Sequence, residues 1–142
     1  MRTGFSLPEL VVVLAIAATL SAVALPRLSG ILDAMAADAA ARDVTTAMAV
    51  TRSAAVERGK RARLVIQADS LKIDLWGNAD WEPFLRWTGP ADRGVSLLVS
   101  NPQIVFSPTG IGWGVSNTKV TLTRGSHIET ITTSRVGRVK RW

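Results

Sequence analysis

Few side chains in this sequence could do chemistry, and their spacing narrows the choice further. There is one histidine, His127, and no cysteine, so Cys-His nucleophilic sites and His/Cys metal clusters have no members to draw on. His127 stands two residues from Glu129 in a stretch of strand character, where the two side chains share a direction. Such a pair reads as a surface pair rather than a general acid and base. Asp69, Asp74 and Asp80 are spread too widely for a calcium loop. Gly110-Ile111-Gly112-Trp113-Gly114 has the glycines of a phosphate-cradling loop but lacks the strand-turn-helix context and the lysine; it reads as an irregular loop anchored by Trp113. No enzyme, no metal and no cofactor is expected.

The chemistry that remains is ionic. Glu9 heads Leu10 to Leu25, 16 residues without another charge. A charged group in hydrocarbon costs several kcal/mol unless it is paired, so Glu9 asks for a cation that its own chain does not place within reach. A cut after Gly4 would give Phe5 a new α-amine, and a neighbouring subunit could offer that amine to Glu9. Pro8 fits the same cut. In a helix starting at Phe5, its missing N–H would have bonded to the Gly4 carbonyl, which the cut removes, and proline in a first turn costs little.

Gly4-Phe5-Ser6-Leu7-Pro8-Glu9-Leu10, behind the short leader Met1-Arg2-Thr3 and ahead of an apolar helix, resembles the class III signal of type IV pilins and type II secretion pseudopilins. The resemblance implies cleavage by prepilin peptidase between Gly4 and Phe5 and N-methylation of Phe5. It also implies assembly with other pilin or pseudopilin subunits, with Glu9 registering the incoming copy. Two plainer readings compete. An ordinary secretory signal would use Arg2 as its n-region and Ala22-Val23-Ala24 as its cleavage site, but a glutamate at the front of the apolar run disfavours it. A simple single-span anchor, Phe5 to Leu25, meets the roughly 20 residues needed and is compatible with the pilin reading. Arg2 agrees with a cytoplasmic N-terminus in the inner membrane, which puts the rest of the chain on the far side.

The elements that must carry these residues follow from periodicity. Pro26 removes a hydrogen bond to the Ala22 carbonyl and predicts a kink. The helical pattern then resumes with Leu28, Leu32, Met35 and Ala39 at spacings of three and four, among Asp33, Asp38, Arg42 and Asp43. It is predicted to end at Arg58, before Gly59, some 80 Å from Phe5 at about 1.5 Å per residue. Beyond Gly59 the period becomes two. Arg61 to Gln67 and Leu71 to Trp76 predict a hairpin, Gly77 to Gly94 a Trp-rich and Pro-containing loop with room for a short strand. Val95 to Val99 and Gln103 to Phe106 predict strands closed as a pair by Ser107-Pro108-Thr109-Gly110. Lys119 to Thr123 and His127 to Thr133 predict a last hairpin, with the terminus as an edge strand or a free tail. The expected organisation is a leader (residues 1–4), a membrane-spanning assembly half of the helix (5–28), and a globular domain (29–142) that includes the C-terminal half of the helix. The expected fold is α+β and pilin-like, with that helix half packed on an antiparallel β-sheet.

The net charge of +6 falls by one when Arg2 leaves with the leader, and its distribution matters more than its sum. Lys119, Arg124, Arg135, Arg138, Lys140 and Arg141 face one acid, Glu129, between Lys119 and the terminus. A second cluster, Arg58, Lys60, Arg61 and Arg63, reads as helix-end and strand-edge charge. If the terminus is extended, Arg138 and Lys140 form a cationic comb on one side, Val139 faces the other, and Trp142 lies beside it. Such combs bind phosphates, or else blunt an exposed strand edge or meet an acidic neighbour.

Arg52-Ser53-x-Ala55, Arg58-Gly59, Phe106-Ser107-Pro108-Thr109-Gly110 and Gly137-Arg138 are together similar to the GspH/FimT branch of pilin-like proteins. That branch supplies minor components of type II secretion pseudopili and type IV pili. In its DNA-receptor members a C-terminal Gly-Arg-x-Arg motif binds double-stranded DNA. Here the motif reads Gly137-Arg138-Val139-Lys140, with a lysine that keeps the charge and loses the bidentate fork. The implied DNA-binding residues are Arg138, Lys140 and, as partial compensation, Arg141.

Overall fold

A computed structural model of the chain describes residues 6–134 and 136–142. Gly4 and Phe5, the expected cleavage pair, lie outside the described residues, as does Arg135. Among the described residues the elements are one helix, α1 (Leu7–Arg58), and eight strands: β1 (Ala62–Ile66), β2 (Ser70–Trp76), β3 (Trp81–Thr88), β4 (Ser96–Val99), β5 (Gln103–Phe106), β6 (Thr118–Arg124), β7 (His127–Thr133) and β8 (Val139–Arg141), with a 3-10 turn at Pro90–Arg93. They fall into two compact units, Met1–Leu32 and Asp33–Trp142.

In the first unit every described residue is exposed except Gly30, which is half-buried. Its segment of α1 is apolar on all sides, the pattern of a helix made for lipid or for other helices, and α1 is long and apolar enough to cross a membrane. The few hydroxyls are satisfied within the helix: Thr19 Oγ1 donates to Ile16 O at 2.8 Å and Ser21 Oγ to Ala17 O at 2.8 Å. Neither hydroxyl between Leu10 and Leu25 needs water. α1 continues through Pro26, and Ser29 Oγ donates to the Pro26 carbonyl at 2.9 Å.

The second unit is built on a different stripe of the same helix. Ala37, Ala40, Ala41, Val44, Ala47, Met48, Thr51, Ala54 and Ala55 are buried, again at spacings of three and four. The anticipated stripe through Leu28, Leu32 and Met35 is instead exposed, with Met35 at 64%. Both stripes have a helical period; size separates them. Six of the nine buried positions are alanines, which let the helix backbone approach the sheets closely. α1 ends as predicted. Gly59 takes φ +60°, its N–H donates to Val56 O at 3.3 Å, and the Lys60 N–H donates to Ala55 O at 3.2 Å. This double bond pattern satisfies the last carbonyls and reverses the chain.

The strands form two four-stranded antiparallel sheets, ordered β3-β2-β1-β5 and β4-β6-β7-β8. Leu64, Ile66, Leu71, Ile73, Ile104 and Phe106 from the first sheet join Val120, Leu122 and Ile131 from the second in one core with the alanine face. Three aspartates on the helix are tied to arginines of the sheet layer: Asp33 to Arg124 at 2.8 Å, Asp43 to Arg93 at 3.0 Å, and Asp38 to Arg141.

Two sequence expectations change. β4 and β5 do not pair; β5 adds to β1 and β4 to β6, so the short link at Ser100–Pro102 carries the chain from one sheet to the other. Residues 81–88, expected mainly as loop, form the full strand β3 beside β2. Proline is tolerated because β3 is an edge strand, and Pro83 stands where the register shifts between Ile73 and Asp74.

Candidate functional site

Glu9 lies in the first turn of α1, and Ser6-Leu7-Pro8-Glu9 has the spacing of a capping box. The Ser6 N–H points at Glu9 Oε2 across 3.5 Å, a loose contact with a neutral donor. Among the described residues no salt bridge involves Glu9, whose side chain is exposed in its own chain. Pro8 sits where its missing N–H leaves no bond unmade.

At the other terminus the tail is fastened to the domain. Gly137 takes φ +75°, and its N–H donates to Ser134 O at 2.9 Å. A Cβ there would stand 3.2 Å from the Phe106 ring and 3.4 Å from Gly110 O, so the turn needs glycine on both counts. β8 then pairs with β7 in the register Thr133↔Val139, Thr132↔Lys140, Ile131↔Arg141. Alternation directs Lys140 outward and Val139 and Arg141 to the face that Ile131 buries.

Arg141 is therefore the exception among the expected phosphate-binding residues. Its guanidinium bonds Glu129 through Nε at 2.9 Å and Asp38 through Nη2. Those hydrogen bonds raise the Arg141 pKa above the ordinary guanidinium value, and the bond from Arg141 holds the Asp38 carboxyl below the usual carboxylate range. Arg141 clamps β8 to α1 and β7. Glu129 is thus the partner of Arg141, and no ion pair joins it to His127.

Arg138 and Lys140 remain accessible. With Thr132, Thr133 and Ser134 they line an open cavity of about 290 Å³ without a carboxylate. Lys140 Nζ also lies 3.4 Å from the centroid of the exposed Trp142 ring.

The central cluster is more structured than a solvated edge. Arg63 bonds Asp74 through Nε at 3.0 Å and Nη2 at 2.5 Å and stacks on Trp81, while Arg61 lies over both Trp76 and Trp113. Trp113 is 54% exposed, so it flanks Arg61 rather than anchoring its loop in the core. The three spaced aspartates part ways: Asp74 goes to Arg63, Asp80 accepts from the Trp81 N–H at 2.7 Å, and Asp69 accepts from Ser70 Oγ at 3.2 Å. The aromatic partners of Arg61 were hidden in sequence, since Trp113 comes from a distant loop.

Residues 40–137 match the family model described as Type II transport protein GspH. Comparison with curated protein sequences finds no match. Among solved structures, the type IV minor pilin FimU of Pseudomonas aeruginosa aligns with a TM-score of 0.61 at 13% identity, covering 74% of this chain and 91% of that one. The minor pseudopilin EpsH from the Type 2 Secretion System of Vibrio cholerae aligns with a TM-score of 0.61 at 12% identity, covering 75% and 95%. At such identities the likeness is one of fold.

The clamp has a testable pH dependence. Asp38 is depressed in the folded chain, so its contribution is complete above the ordinary carboxylate pKa and is lost as pH falls through the lowered value. Hydrogen-exchange protection of the Thr130 and Trp142 amides should be flat near neutrality and fall only below about pH 4. Arg141→Ala should lower that protection several-fold at neutral pH and remove the acid step; unchanged protection in the variant would dissociate Arg141 from tail docking.

Proposed function

The chain belongs to the GspH family and is a non-enzymatic minor pilin or pseudopilin of a type II secretion system or a type IV pilus; we propose that prepilin peptidase cuts it between Gly4 and Phe5, N-methylates Phe5, and releases it for assembly through Glu9 and the apolar part of α1. The observation that carries this reading is Glu9 itself. Its carboxylate stands at the head of an uncharged apolar run, Leu10 to Leu25, with one loose neutral donor at 3.5 Å. The α-amine of a processed neighbour supplies the missing cation. In this account the protein is a single-pass inner-membrane subunit before assembly, its domain lies outside the cytoplasm, and Pro26 allows the helix to bend where it leaves the bilayer.

A second reading rests on the cavity at Thr132, Ser134, Arg138 and Lys140. Two cations and the hydroxyls of Thr132 and Ser134, without a carboxylate, suit a phosphate, so the domain would serve as a receptor for double-stranded DNA. Arg141, held by two carboxylates, contributes by keeping β8 in place and not by a phosphate contact.

Mass spectrometry of the protein from membranes should give a chain starting at Phe5 with one added methyl group, and a mature terminus at Leu25 would contradict the proposal. Glu9→Val should still be cleaved, yet enter filaments about a hundredfold less well, the factor that corresponds to ~3 kcal/mol for leaving one member of a buried ion pair alone. For the second reading, fluorescence anisotropy of a labelled duplex with the full chain in micelles should show binding that weakens with salt and is lost in Arg138→Ala/Lys140→Ala. Binding indifferent to those two changes removes the DNA role and leaves the assembly role intact.

A further inference from the structure

The outer face of the first sheet carries a row of stacked indoles and guanidiniums, and its two ends differ. At one end Arg63 stacks on Trp81, its carbon Cζ 4.6 Å from the ring centroid, and its edge N–H groups take the Asp74 carboxylate. Trp81 meets Trp76 edge to face, with centroids 5.1 Å apart. At the other end Arg61 lies between two indoles, 4.7 Å from the Trp76 centroid and 5.3 Å from that of Trp113. Among the described residues no carboxylate and no hydrogen-bond acceptor meets its side chain.

Arg61 thus repeats the arrangement of Arg63 with the acid missing. The guanidinium opens on a groove of about 450 Å³ lined also by Lys60 and Pro108, with Arg58 at the helix end nearby, stacked on Phe84 at 5.4 Å. Glu82, whose carboxylate fills the space beside Gly77 at the groove, forms no ion pair among the described residues. Stacking fixes the plane of the Arg61 guanidinium and partly strips it of water. Both steps raise the worth of a two-pronged hydrogen bond to a carboxylate. Tryptophan and arginine around a partly desolvated centre are also the composition of interface hot spots.

We infer that this groove docks an acidic loop of another protein subunit, with an aspartate or glutamate carboxylate completing Arg61 as Asp74 completes Arg63. A single-stranded nucleic acid fits less well. It would need free indole faces for its bases, and here Arg61 already occupies a face of both groove-lining indoles. The inference is independent of processing and filament entry, because the groove lies wholly in the unit Asp33–Trp142.

The test is anisotropy of a fluorescein-labelled, C-amidated hexaglutamate peptide titrated with the full chain in detergent micelles, beside a hexaglutamine peptide and a labelled deoxythymidine hexamer. Salt-sensitive binding of hexaglutamate over hexaglutamine is expected. Arg61→Gln and Trp113→Ala should each weaken it about tenfold, Arg61→Lys should not restore it, and Lys119→Ala, on the other sheet, should leave it unchanged. Trp113 stands on an exposed loop, so its loss leaves the core intact. Equal binding of the two peptides, indifference to Arg61→Gln, or tighter Arg61-dependent binding of the deoxythymidine strand would each overturn the proposal.

Discussion

A carboxylate at the head of 16 uncharged apolar residues has to be neutralised from somewhere, and the rest of this chain is arranged around that requirement. Among the described residues Glu9 forms no salt bridge. The capping contact from Ser6 offers one neutral donor, which orients the carboxylate without cancelling its charge. The proposed ion pair with a neighbouring subunit would cancel the charge and fix the register of two apolar helices at once. Hydrophobic contact between such helices in lipid has no comparable power to choose a register.

The same helix serves a second environment by changing the size of its side chains. Where Leu and Val dominate, α1 stays exposed on all sides; where alanine dominates, it lies against two sheets. Close approach of the backbone replaces bulk as the source of contact area. Arginine–carboxylate pairs from Asp33, Asp38 and Asp43 then rim the alanine face. Half-exposed pairs of this kind add little stability individually, and their effect is chiefly to hold the loop at Pro90–Arg93, the β6–β7 turn and β8 in place.

Local signals were legible in sequence and tertiary choices were not. Gly59 could be read as the helix stop because a left-handed reversal needs glycine whatever the fold. The β6–β7 turn was equally plain, with Gly125 at φ +55° between two alternating runs. By contrast, nothing in the residues of β4 and β5 says that adjacent strands belong to different sheets, since their patterns are alike. β3 was obscured by Pro83, whose cost vanishes only at an edge. The tail was half legible: alternation placed Lys140 outward, but the two carboxylates that claim Arg141 come from β7 and from α1, more than a hundred residues earlier in the case of Asp38. Arg61 and Trp113 became one feature only once the loop after β5 was seen to fold back toward the helix end.

The central claim is that Glu9 meets the N-terminal amine of another subunit, and zero-length carbodiimide coupling in isolated membranes or filaments tests it most directly. Peptide mapping by mass spectrometry should recover an amide joining the Glu9 side chain to the N-terminal residue of a different polypeptide, with isotope-labelled copies excluding a link within one chain. Recovery of abundant Glu9 in unlinked form, while surface lysine–carboxylate links form in the same sample, would contradict the account.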